Sequence, residues 1–151
     1  MMNHSSLNGI KGLVTINLID KFGNTLACVE IPNLIVSTGL QHIASCLVST
    51  QLNNPPRMTH MALGSSSAVP SLSQSALGGE LGRVPLTNIA ASGNTLTYTA
   101  MFGAGIATGA VVEAGIFNNS SQGIMLCRTT FPVINKGSTD SLAITWLVTI
   151  Q

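Results

Sequence analysis

The run Ser141–Ile150, SLAITWLVTI, places Leu142, Ile144, Trp146, Val148 and Ile150 at every second position. That period is the period of a β-strand, whose side chains alternate between two faces. A strand with one wholly apolar face has to lie in a sheet that covers this face. Shorter apolar runs, separated by turn residues, repeat the theme along the chain. GLVTINLID (Gly12–Asp20) and LACVEI (Leu26–Ile31) flank KFGN, where Gly23-Asn24 supplies a permissive backbone, so the chain opens with a β-hairpin. VPLTNIAA and TLTYTAMF flank SGN (Ser92–Asn94) and form a second hairpin pattern. AVVEAGIF and IMLCRTTF flank NNSSQG and form a third. RMTHMALGSS is a short strand that runs into a Gly/Ser loop.

One segment has a different period. Leu40, Ile43, Leu47 and Val48 fall on one face of a helix, which the spacing predicts over Thr38–Ser49, with Ser37 or Thr38 as its cap. NNPP, Asn53–Pro56, breaks the chain after it. In the polar stretch SSSAVPSLSQSALGGELGR a helical turn is expected near Ser75–Leu81, on which Glu80 and Arg83 would pair at i, i+3. Residues 1–12 carry no core pattern and are expected to be a flexible N-terminal arm; residues 13–151 are expected to be a single β-rich domain, which the 151-residue length fits. Strands that follow one another through short turns favour antiparallel pairing. The expected fold is mainly β: an antiparallel β-sandwich or flattened barrel of about seven or eight strands, with one amphipathic helix packed on it.

Charge bounds the function. Charged residues make up 7% of the chain, against about 25% in an average domain. Six Lys/Arg spread along the chain supply no basic patch, so nucleic acid is not an expected partner. A free monomer with so little charge would be poorly solubilised, which predicts that other subunits cover much of the surface. No run approaches the ~20 apolar residues of a membrane-spanning helix, and the N-terminus MMNHSSLNGIKG has no apolar core of a signal peptide, so membrane insertion is not expected. Cys28, Cys46 and Cys127 have no CxxC spacing and stand in apolar runs, which predicts reduced, buried thiols in a protein made in a cytosol.

The motifs that carry chemistry elsewhere are incomplete here. GAGIATG, Gly103–Gly109, holds a G-x-G, but strands are expected on both sides, where a dinucleotide loop needs a helix to follow. His4, His42 and His60 have no Cys or carboxylate at ligand spacing, so no metal site is expected. There is no G-x-S-x-G, and the five acids Asp20, Glu30, Glu80, Glu113 and Asp140 fall one per segment, which leaves no paired carboxylates for glycoside hydrolysis. No catalytic residue and no cofactor is expected, and the chain reads as a non-enzyme. Glu113 and Arg128 are the sharper case. Each stands four residues from the NNSSQG turn, so the two are expected to face each other across the hairpin as a register-fixing salt bridge. Trp146 belongs to the alternating apolar face and is expected in the core. That leaves few aromatics for a glycan-binding β-sandwich, the least favoured reading.

The order of several short motifs resembles phage virion proteins of the tail-fibre and tail-collar type. These are THMALG (Thr59–Gly64), SALGGELGR (Ser75–Arg83), NTLTYTAMF (Asn94–Phe102) and VVEAGIFNNSSQGIMLCRTTFP, while NLIVSTGLQHIASCL resembles the opening helix of related small phage structural proteins. The resemblance runs from about Asn33 to the C-terminus. It implies a structural component of a virion, made in a host cytoplasm, at the tail, baseplate or fibre attachment. The alternative role is a capsid decoration (cement) protein clamping neighbouring capsomers. Members of these families assemble as symmetric homo-oligomers, often trimers, so the implied partners are further copies of the chain and other virion proteins. Tail-fibre proteins usually continue into a shaft and receptor-binding tip; ending at Gln151, the chain is expected to be a stand-alone module.

Overall fold

The structure, a computed structural model, describes residues 9–50 and 56–151. Nine strands and one helix follow in the order β1 (Ile10–Ile19), β2 (Thr25–Ile35), α1 (Ser37–Val48), β3 (His60–Gly64), β4 (Glu80–Pro85), β5 (Asn88–Ser92), β6 (Thr95–Phe102), β7 (Gly109–Phe117), β8 (Met125–Lys136) and β9 (Ser141–Ile150). Every pairing is antiparallel, in the order β4-β3-β7-β8-β2-β1-β9-β6-β5. The protein is therefore mainly β, a curled, flattened half-barrel with one helix, in agreement with the fold class the alternation predicts. β1 begins at Ile10, so Ile10–Gly12 belong to a strand rather than to the expected arm. Residues 1–8, including His4, lie outside the described residues, as do Asn53, Asn54 and Pro55 of the NNPP break.

β2 makes the fold turn. Its first part pairs along β1, and only Leu34 and Ile35 at its end pair with β8. One strand thus passes from one half of the curled sheet to the other. At the opposite side β4 and β5, the two edges, are consecutive in sequence. Only Leu86 and Thr87 separate them; Leu86 N–H donates to Thr59 O (2.8 Å) and Thr87 N–H to Thr99 O (2.8 Å), so this link ties the two ends of the sheet together. VPLTNIAA is therefore not one hairpin arm: it divides at this link between β4 and β5. The core lies between the halves. Val14, Ile16, Phe102, Leu142, Ile144 and Trp146 from one half meet Met61, Leu63, Val111, Ile116, Cys127 and Ile134 from the other, all buried.

Three further expectations are corrected. Residues 75–79 contain no helical turn, and Glu80 opens β4. Neither Ser37 nor Thr38 caps α1: the N-cap position is Val36, with no side-chain hydrogen bond, and Thr38 Oγ1 donates to Met125 O instead (2.8 Å). The helix also does not pack through the apolar stripe. Its buried residues are Gly39 and His42, with Ile43 half-buried, while Leu40, Leu47 (84% exposed) and Val48 (82%) stay exposed. Gly39 explains this. A Cβ there would overlap the backbone carbonyl of Leu126, so the glycine lets the first turn of α1 approach β8 closely, while the last turn, with Leu47 and Val48, is left largely uncovered.

Candidate functional site

The half of the sheet formed by β4, β3, β7 and β8 has a second buried face. Two register rows cross it. Glu80, Gly64, Glu113 and Thr130 stand side by side in one, and Arg83, Ala62, Gly115, Arg128 and Leu34 in the other. All four expected salt-bridge residues thus share one face, interleaved with residues that have almost no side chain. The small residues make room for a strap, residues 65–79, which lies over the face and packs Leu77 against Val36, Ala62, Phe117 and Met125. A Cβ at Gly64 would lie 2.7 Å from Gly79 O and 2.8 Å from Glu113 Cγ, and one at Gly115 would lie 3.1 Å from Leu77 Cδ2. Gly64 leaves no room for a side chain beneath the strap, and at Gly115 a methyl group would enter only if Leu77 and Phe117 gave way by a few tenths of an ångström.

Glu113 (0% exposed) and Arg128 (1%) are the buried centre. Glu113 Oε2 accepts from Arg128 Nε (3.0 Å) and Nη2 (2.8 Å). The rest of the carboxylate is bound by the strap: Gly78 N–H donates to Oε2 (3.0 Å), and Ser66 N–H (3.0 Å) and Gly79 N–H (2.8 Å) donate to Oε1. The guanidinium reaches the same strap from the other side. Nη1 donates to Ala68 O (2.7 Å) and Gln74 Oε1 (3.2 Å), and Nη2 also donates to Ser66 O (3.3 Å). Every N–H of the arginine has an acceptor. A buried ion pair offsets its desolvation only when the remaining donors and acceptors are satisfied, and here the backbone of the strap satisfies them.

The two charges do not stand directly opposite each other. Arg128 pairs with Gly115, and Glu113 with Thr130, so the ion pair runs diagonally. Two local features shift the register by two residues from the expected one. Phe117 pairs with Met125 rather than Ile124, and Leu126 is an extra residue between the Phe117–Met125 and Ile116–Cys127 pairs. The expected pair thus bridges β7 and β8, diagonally rather than squarely. It fastens a loop to a sheet.

Glu80 and Arg83 meet at the end of the strap. They share a face because Leu81 is an extra residue opposite the Leu63–Gly64 step, which puts positions 80 and 83 in phase along a strand. Arg83 Nε and Nη2 donate to the two carboxylate oxygens of Glu80 (2.9 and 2.8 Å). Arg83 Nη1 donates to Asn119 O (2.9 Å) and Gln122 O (2.8 Å), and the guanidinium carbon stands 3.8 Å from the centroid of the Phe117 ring. Arg83 thus clamps the β7–β8 turn, in which Gln122 holds a left-handed φ of 55°. Arg83 is paired with Glu80 and leaves Glu113 to Arg128.

The remaining candidates are dispersed. His60 Nδ1 lies 2.7 Å from Thr59 Oγ1; burial pushes its pKa down, and the Arg83 charge adds to this. His42 is buried under α1, and desolvation lowers its pKa too. No group of three or more His, Cys, Asp or Glu side chains gathers in metal-binding geometry among the described residues. Only Cys127 is buried, its thiol pushed far up by burial; Cys28 and Cys46 are exposed, contrary to the apolar runs in which they stand. Lys136, which the sequence does not single out, is buried at the end of β8. Its Nζ donates to Gly103 O (2.8 Å), and desolvation lowers its pKa, partly countered by Asp140. The strap residues Ser66, Gln74, Gly78 and Gly79 were also not legible as a site. Their one signal is the Gly78-Gly79 pair, which leaves two amides unobstructed. Comparison of the chain with protein-family models, with curated proteins and with solved structures gives no match.

Proposed function

We propose that the chain is a non-enzymatic structural component of a bacteriophage virion, placed at the tail, baseplate or fibre attachment, and that it acts through contacts between subunits. The observation that carries this reading is the fate of the motif charges. THMALG, SALGGELGR, VVEAGIF and IMLCRTTF come together as β3, β4, β7 and β8, and Glu113, Arg128, Glu80 and Arg83 are engaged with one another and with loop backbone. The motifs that carry the resemblance build a scaffold. Around it the surface is poor in charge and exposes Phe22, Leu47, Val48, Val69 and Leu72, a composition suited to contacts with other protein.

Sedimentation velocity of the purified chain tests the assembly half of this reading. A homo-oligomer is expected, and a monomer at about 10 μM would count against it. Antibody labelling of intact particles tests the location. Label confined to the tail is expected; label over the whole shell would reassign the protein to capsid decoration.

A further inference from the structure

Away from the strap, a cleft of ≈ 250 Å³ opens between α1 and the end of the sheet where β1 starts and β9 stops. Ile43 and Leu47 of α1 form one wall; Leu96, Val148 and Ile150 form another, with Met58 between them. Three groups with polar atoms interrupt this apolar lining: Arg57, His42 and Tyr98. Arg57 is exposed and takes part in neither of the two ion pairs among the described residues. The chain has few acids to offer it. Asp20 is held by the Phe22 and Asn24 amides and by the Asn24 side chain, Asp140 by the Gly137 amide, and Glu80 and Glu113 by their own arginines; Glu30 stands opposite Thr15 in the middle of the β1–β2 ladder. His42 Nδ1 is buried without a hydrogen-bond partner. Burial pushes the Tyr98 hydroxyl up to about 12, so at neutral pH it remains a donor.

An apolar cleft with a few polar groups at its margin is the usual form of a small-ligand site. We propose that this cleft binds a small amphiphilic anion, a straight-chain carboxylate whose tail lies among the apolar walls and whose head meets Arg57. The walls select against a hydroxyl-rich ligand, which would lose hydrogen bonds to water without replacement. The unpaired cation at the exposed margin of the cleft selects for a negative head group. Size sets the length. An apolar cavity of about 150 Å³ holds benzene, so ≈ 250 Å³ takes about ten non-hydrogen atoms, the size of octanoate. This inference rests on the cleft alone and stands apart from the virion reading.

The cysteines supply a footprint. Cys46 lines the cleft, whereas Cys28 is exposed on β2, paired with Asn17 outside it. Octanoate is titrated against the full chain while N-ethylmaleimide modification of the two thiols is followed by mass spectrometry. Saturable slowing of Cys46 by about fivefold or more, with Cys28 unchanged, is the expected result. Octan-1-ol, of the same length without charge, is expected to protect about tenfold less well, and Arg57→Gln, at an exposed position, is expected to weaken octanoate protection about tenfold. Absence of saturable protection, equal slowing of both thiols, or equal protection by octanoate and octan-1-ol would each overturn the proposal. Ile43→Trp, which narrows the cleft from its half-buried helix wall, gives a second check. It is expected to abolish octanoate protection while circular dichroism confirms the fold, and undiminished protection would place the ligand elsewhere.

Discussion

At the scale of the residue, the Glu113–Arg128 pair shows how little of an ion pair's role lies in the pair itself. Its two direct contacts would be matched by many surface salt bridges worth ~1 kcal/mol or less. What differs is that both groups are buried and that strap backbone completes their hydrogen bonding. Removing one partner strands the other in a dry site. Arg128→Met is therefore expected to destabilise the protein by about 3–5 kcal/mol. Glu113→Gln keeps the shape but turns one acceptor oxygen into an NH2 donor facing N–H groups and leaves Arg128 buried without a counter-charge, so it too is expected to cost about 3–5 kcal/mol. The double variant should lose less than the sum of the two, measured by urea unfolding; strict additivity would show that the charges do not depend on each other. Gly64→Ala, which pushes a methyl group against Glu113 and Gly79 O, is expected to cost about 1–3 kcal/mol by overpacking.

At the scale of the element, the strap and α1 make opposite cases. The strap has no regular secondary structure of its own, yet three of its amides end on one buried carboxylate. In native-state hydrogen exchange, Ser66, Gly78 and Gly79 amides are expected to be protected. Glu113→Ala should release them while β1 and β9 keep their protection, because the sheet ladder does not pass through Glu113's side chain. Loss of protection throughout the sheet would mean that strap and sheet unfold as one. For α1, Leu47→Ser and Val48→Ser are expected to change the stability of the isolated chain by less than about 0.5 kcal/mol. Gly39→Ala is expected to cost about 1–3 kcal/mol, since its Cβ meets the Leu126 carbonyl. Had the helix packed through its apolar stripe, this order would be reversed.

At the scale of the whole molecule, stability depends on pH through His42, buried, and His60, half-buried, both of which the fold favours in the neutral form. His42 and His60 both have pKa values pushed below the ordinary 6.5, chiefly by desolvation. Below pH 6.5 the unfolded chain takes up protons that the folded protein accepts only at lower pH. Stability is therefore full above about pH 6.5 and falls as the pH drops from there through the folded pKa values, by at most about 1.4 kcal/mol per pH unit for each group. Urea midpoints measured from pH 8 to pH 5 should decline over the lower half of this range, and His42→Gln should flatten the profile. A midpoint that rises on acidification would contradict the burial of neutral imidazole.

Much of this architecture was legible in local pattern. Period-two alternation identifies the strands, and Gly-Asn turn chemistry places their hairpins, because both depend only on neighbours along the chain. Trp146 in the core follows from its position among Leu142, Ile144 and Val148, and all four are buried. The covering of the second face was not legible. VVEAGIF alternates in the same way whether Glu113 looks into water or into a strap, and the strap lies some 35 to 47 residues earlier in the chain. Register is hidden for a related reason: an extra residue at Leu126, and another at Leu81, alters which side chains share a face and leaves no mark in composition or period. The apolar stripe of α1 misled because glycine contact with β8, rather than hydrophobicity, chose the buried side. The sequence by itself determined a charge-poor antiparallel β-protein with a central apolar face. Only the tertiary structure decided that Glu113 and Arg128 lie under a loop, since desolvation of a side chain is set by what the rest of the chain brings over it.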